Sequence, residues 1–173
     1  MNVNEGTIII GQNSYTCLEI YGTNTVANIY DGSEFYQNGT SSYVGSLVGA
    51  SDNATINVYG GKGISAKSGF IVMTSGGTIN VHDGEWTANT NGTPSNDNNA
   101  ALIAQYDNAT YPGAVTSIVN VYGGTFKGGY NCYANIAGKA EININGGNFN
   151  ADPTAYVEND KTATESNGTW TVQ

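Results

Sequence analysis

The chain has 173 residues, of which 11% are charged; five lysines, no arginine and 14 acidic residues leave a net charge of −9. Phosphate contacts need clustered Lys and Arg, so nucleic acid and anionic membrane surfaces are excluded as expected partners. No apolar run approaches the ~20 residues of a membrane span. The opening "MNVNEGTIII" has neither the basic start nor the long apolar run of a secretory leader. The expectation is a chain that folds in the cytoplasm of the cell that makes it, or a piece trimmed from a longer one.

In chain order, one phrase keeps returning: "NVNEG" (2–6), "ANIYDG" (27–32), "INVYGG" (56–61), "INVHDG" (79–84), "VNVYGG" (119–124) and "ININGG" (142–147). The anchoring asparagines Asn2, Asn28, Asn57, Asn80, Asn120 and Asn143 lie 26, 29, 23, 40 and 23 residues apart. The bare unit is 23 residues, and the longer intervals carry insertions. The 40-residue interval contains 89–100 and 105–116, polar and turn-rich segments that read as surface loops.

Each copy alternates. Ala27, Ile56, Ile79, Val119 and Ile142 take one position, and Val3, Ile29, Val58, Val81, Val121 and Ile144 the position two residues on. A period of two places both sets on one face of a strand. The asparagines fall on the opposite face, with a further column of Asn4, Tyr30, Tyr59, His82, Tyr122 and Asn145. A turn follows in which Asp31 and Asp83 hold a position that takes Asp or Gly, as a backbone with positive φ prefers. A bulky apolar residue then returns at Ile8, Phe35, Ile64, Trp86, Phe126 and Phe149. Most units add a second apolar segment, at 17–21, 44–48, 70–73, 101–104 and 132–136.

Such a unit cannot bury its apolar face alone, but stacked copies can. The expected fold is all-β: a single-stranded parallel β-helix, a solenoid of about six coils over residues 1–150. A β-sandwich also has short alternating strands, yet it does not explain repetition of a phrase in register. A propeller needs units of about 40–45 residues. Residues 151–173 read as a C-terminal cap and β-hairpin. Pro153 suits the first position of a short helical turn, and Asn167-Gly168 joins two alternating runs. Open β-helix ends expose strand edges. At the N-terminal end the expectation is a covering partner, through a homo-oligomer or docking onto a larger assembly, or a removed upstream segment.

For chemistry the sequence offers little. Asp31 and Asp83, with Glu34 and Glu85 nearby, are the carboxylates to weigh as a hydrolytic pair. They sit two coils apart with Gly60 between them, and read as turn residues. "GGKGIS" (60–65) has serine where a calcium β-roll needs aspartate. No catalytic residue, metal ligand or cofactor is expected. Cys17 and Cys132 fall four coil steps apart, about 19 Å, too far for a disulfide, so both are expected as free thiols. The strongest signal is aromatic. Tyr30, Tyr59, Tyr122 and the single histidine, His82, share the outward column, and Tyr106 and Tyr111 lie in the long insertion. These six are the candidate binding residues, suited to a glycan or a protein contact. The bland reading of the column is ring stacking that steadies neighbouring coils.

The "GGNF" turn, "DPTAYV" and the closing "NGTWTV" resemble the terminal segment of right-handed parallel β-helix repeat regions in gut-bacterial surface proteins. They are equally similar to segments in phage virion proteins of the decoration and fibre kind. The resemblance implies a right-handed coil and a stalk, decoration or adhesive role. The expected function is a non-catalytic structural or adhesive protein of a phage virion surface that contacts host or gut polymers. Alternatives are a module of a secreted bacterial cell-surface adhesin and a small polysaccharide-degrading enzyme.

Overall fold

The structure is a computed structural model that describes residues 1–11, 16–38, 46–65, 72–88, 100–105, 116–128, 132–134 and 139–173. Short alternating runs form strands and the glycine-containing turns break them, so the chain climbs in rungs. The first rung is β1 (Asn2–Val3), β2 (Ile8–Gly11) and β3 (Thr16–Tyr21); the second is β4 (Val26–Ile29), β5 (Glu34–Gln37) and β6 (Ser46–Ser51). The third is β7 (Thr55–Val58), β8 (Lys62–Ser65) and β9 (Val72–Ser75); the fourth is β10 (Thr78–Val81), β11 (Glu85–Ala88) and β12 (Leu102–Gln105). The fifth is β13 (Ser117–Val121), β14 (Thr125–Lys127) and β15 (Cys132–Ala134), and the last is β16 (Ala140–Ile144) and β17 (Gly147–Phe149). The closing β18 (Ala163–Ser166) and β19 (Thr169–Val172) form a hairpin.

Equivalent strands pair in parallel, making three sheets of a β-solenoid. The first runs β1-β4-β7-β10-β13-β16, the second β2-β5-β8-β11-β14-β17 and on to the hairpin, the third β3-β6-β9-β12-β15. Among the described residues five rungs supply all three sheets and the sixth only two, a slightly different coil number from the expected six. The register is that of the repeated phrase: Asn2↔Asn28, Asn28↔Asn57, Asn57↔Asn80, Asn80↔Asn120 and Asn120↔Asn143 are Cα partners. Cys17 on β3 and Cys132 on β15 lie on opposite edge strands of the third sheet. Cys17 is a free, half-buried thiol. Burial pushes it up, opposed by a backbone hydrogen bond at Gly11.

The core is a stack of like residues. Ile29, Val58, Val81, Val121 and Ile144 form one fully buried column, and Ala27, Ile56, Ile79 and Val119 the next. On the second sheet the inward column is Ile9, Phe35, Gly63, Trp86, Phe126 and Phe149. The pattern expected from sequence therefore needs correction at two rungs. Ile8 and Ile64 face outward, 59% and 48% exposed, and Gly63 takes the inward place. The reason is steric. Trp86 lies one step from Gly63, with Phe35 a step beyond at a ring-centroid distance of 6.0 Å. A Cβ on Gly63 would stand 2.6 Å from Leu47 Cδ1 and 3.0 Å from Trp86 Cε3. The missing side chain is the space the indole fills.

The two ends differ. β19 pairs antiparallel with β17, and Val157 bridges Ile144, with the Glu158 N–H donating to the Ile144 carbonyl at 3.0 Å. The hairpin turns at Asn167 and Gly168, both with positive φ (53° and 77°), the geometry of a primed turn. Pro153 stands just before a 3-10 turn at Thr154–Tyr156, not inside it. At the other end β1, β2 and β3 are the outermost described strands of their sheets, and Ile8 and Ile10 are more than half exposed.

A side-chain ladder reinforces the backbone one. Asn28 donates to Asn2 at 3.1 Å, Asn57 to Asn28 at 3.0 Å, and Asn80 to Asn57, Asn120 to Asn80 and Asn143 to Asn120 at 2.9 Å each. Replacing Asn80 with alanine removes the bond it donates and the bond it accepts. Urea denaturation should show a loss of about 1–3 kcal/mol, against less than about 1 kcal/mol for Asn2→Ala, which ends the ladder in solvent. Equal losses would mean that the ladder adds nothing to the backbone.

Candidate functional site

Position 30 and its equivalents come one residue after each first-sheet strand, where a side chain points away from the core. Backbone bonds still hold them in line: the N–H groups of Tyr30, Tyr59, His82 and Tyr122 donate to Val3, Ile29, Val58 and Val81 carbonyls at 2.7–2.9 Å. Aromatic side chains in that register must meet, because rungs are only about 4.8 Å apart. Ring centroids lie 5.5 Å apart for Tyr30–Tyr59, 5.1 Å for Tyr59–His82 and 5.0 Å for His82–Tyr122. The planes are inclined by only 18°, 11° and 14°. The structure thus joins four of the six sequence-derived candidates into one external ladder. Tyr106 and Tyr111 lie outside the described residues.

Three tyrosines of the ladder are 38%, 46% and 49% exposed. Near-parallel planes at such distances are offset stacks. Each ring covers part of its neighbour and leaves edges, with the tyrosine hydroxyls, for solvent or a ligand. The Asn ladder runs beside it on the same face. An interior asparagine uses one amide hydrogen and one acceptor site on its neighbours, and keeps capacity for another partner.

The adjoining corner is built by the turns. Positive φ falls on Gly6, Gly32, Gly61, Gly84, Gly124 and Gly147, between 76° and 126°. That is one residue beyond Asp31 and Asp83, which corrects the reason expected for the Asp-or-Gly position. That position stays small where the preceding rung comes close: a Cβ on Gly123 would stand 2.4 Å from the His82 carbonyl oxygen. Asp83 Oδ1 accepts the N–H of Gly84 at 2.8 Å, which closes its own turn.

Beyond the turns, the outer face of the second sheet aligns Glu34, Lys62 and Glu85 on successive rungs. Sequence reading missed this column; carrying the asparagine register past the turn would have found it. Lys62 Nζ lies 2.8 Å from Glu34 Oε1, and the Tyr36 hydroxyl donates to Glu34 Oε2 at 2.6 Å. The lysine hydrogen bond, then that of Tyr36, holds the Glu34 carboxyl below the usual range. The same contacts with Glu34 push Lys62 and Tyr36 up. An open groove of about 490 Å³ runs through this corner, lined by Tyr59, Glu34, Lys62 and Glu85, by Asp31 and Asp83, and by turn glycines. Among the described residues no group of three or more His, Cys, Asp or Glu side chains is placed to hold a metal ion.

No known family model, curated protein or solved structure matches the chain.

The ion pair sets a pH signature. A carboxyl depressed in the folded state stabilises above the ordinary glutamate range, and that contribution is lost as pH falls through the folded value. A raised lysine contributes below its ordinary range and loses this as pH rises through its folded value. In Lys62→Met, NMR titration should move the Glu34 midpoint upward, part of the way to the ordinary range, with the Tyr36 hydrogen bond retaining the rest. Any stability advantage of the parent over the variant should vanish on acidification through the parent midpoint. An unchanged Glu34 midpoint would refute the assignment.

Proposed function

We propose that the protein is a non-catalytic structural and adhesive β-helix element of a phage virion surface, and that its ladder face meets host or gut polymers. The observation that carries this reading is the unbroken external stack Tyr30–Tyr59–His82–Tyr122 on a stiff parallel scaffold. Aromatic edges with hydroxyl rims, flanked by amides, suit extended hydroxyl-rich chains better than a single small molecule. The net charge of −9 favours polymers that are not themselves strongly acidic. The hydrogen bond by which Asp83 closes its own turn supports reading it as something other than a catalytic acid. Exposed Ile8 and Ile10 on the outermost described strand of the second sheet support attachment at that end, to further copies or to a larger assembly. The virion setting rests on the terminal-segment resemblance.

Affinity electrophoresis in gels containing soluble polysaccharides or mucin tests this. The parent protein should be retarded by at least one polymer and release no new reducing ends on prolonged incubation. Tyr59→Ala, which interrupts the ladder at its second ring, should weaken retardation about tenfold while the protein stays folded by circular dichroism. Release of reducing ends, or retardation indifferent to Tyr59, would contradict the proposal.

A further inference from the structure

The groove beside the ladder has features that the adhesive reading does not need. Its floor is backbone, formed by Gly32, Gly60, Gly61 and Gly84, which lets a ligand approach the main chain closely. Tyr59 contributes an aromatic wall shared with the ladder. Lys62 supplies a donor, and Asp83 and Glu85 supply acceptors. A buried group lies behind one of these glycines. Trp86 is 1% exposed and its indole N–H has no hydrogen-bond partner among the described residues. It lies against Gly84, where a Cβ would stand only 2.6 Å from Nε1. Among the described residues it is the one buried side-chain polar group left without a partner, and the glycine it lies against lines the groove.

We propose that the corner groove is a binding subsite for an uncharged, hydroxyl-rich glycan unit. Sugar hydroxyls both donate and accept, which matches a groove holding carboxylate acceptors around one ammonium donor. An acidic sugar meets four carboxylates and a lysine already paired with Glu34 at 2.8 Å. An amine-bearing sugar meets Lys62 between Glu34 and Glu85, where a second cation would have to sit. A ligand seated over Gly84 is separated from the Trp86 N–H by that one glycine, so its binding is read at the indole through the Gly84 backbone. This inference deepens the adhesive reading and rests on it.

The test measures binding of neutral β-glucan, galactomannan and arabinogalactan, of acidic polygalacturonate and of amine-bearing chitosan oligosaccharide, to the whole chain at two salt concentrations. The expected result is binding of at least one neutral polymer, insensitive to salt and weakened at least tenfold in the double variant Asp83→Asn, Glu85→Gln. Both side chains are exposed and the ladder is untouched, so the variant should fold. The indole N–H resonance of Trp86, distinguished from that of Trp170 by Trp170→Phe, should shift with the neutral polymer and not with the others. Neutral binding unchanged in the double variant would overturn the groove while leaving the ladder reading standing. Preferential, salt-sensitive binding of chitosan or polygalacturonate would overturn the specificity. Failure to bind any polymer would remove the adhesive reading together with the subsite.

Discussion

Parallel register is the constraint on which the rest depends. When strand follows strand in exact alignment, each side chain meets its own counterpart one rung away, about 4.8 Å along the axis. Chemistry at one position is then multiplied into a column. Asparagines bond to asparagines, valines and isoleucines pack on valines and isoleucines, and rings stack on rings. A slip of one residue would turn every column inside out, exposing Val58 and Val81 and burying Asn57 and Asn80. The asparagine ladder opposes that slip, because a buried amide without its neighbours would be left unsatisfied.

The same constraint makes the outer surface. The aromatic ladder follows from repeating Tyr, Tyr, His and Tyr at a position that backbone bonds keep in line. Partial mutual coverage has two consequences. Neighbouring rungs are tied together on the outside, and a row of ring edges is fixed with little side-chain freedom left to lose on contact. Stabilising and contact roles are therefore compatible in one set of residues. The acidic corner differs: its members come from the turns and from the start of the second-sheet strands, and surround an open groove instead of closing on themselves.

Much of this was legible in the sequence because the first-sheet strand is short and strictly alternating. The spacing of Asn2, Asn28, Asn57, Asn80, Asn120 and Asn143 marks the register directly, and the outward placement of Tyr30, Tyr59, His82 and Tyr122 follows by counting two. Asn167-Gly168 announced its turn through the positive φ both residues tolerate. Legibility failed where side-chain volume, not period, decides. Ile64 looks like a core residue beside Gly63, but Trp86 on the next rung claims the interior and leaves glycine facing it. Pairing of Glu34 with Lys62 was hidden because the partners are 28 positions apart in the chain and become neighbours only through the stacking. The glycine role in the turns was right in kind and off by one residue: the left-handed conformation falls on Gly32, Gly61 and Gly84, and the position before them is kept small where the preceding rung comes close, as at Gly123.

Cysteine trapping offers the most direct measurement of the stacking itself. In a background with Cys17 and Cys132 replaced by serine, outward-facing Thr55 and Thr78 are Cα partners on adjacent rungs, and Ile118 is the partner of Thr78 one rung further. Cysteines at 55 and 78 should oxidise readily to a disulfide, since one rung step of about 4.8 Å lies within the bridging range. Cysteines at 55 and 118, two steps apart, should remain reduced under the same conditions. A disulfide between 55 and 118 with none between 55 and 78 would contradict the stacked register.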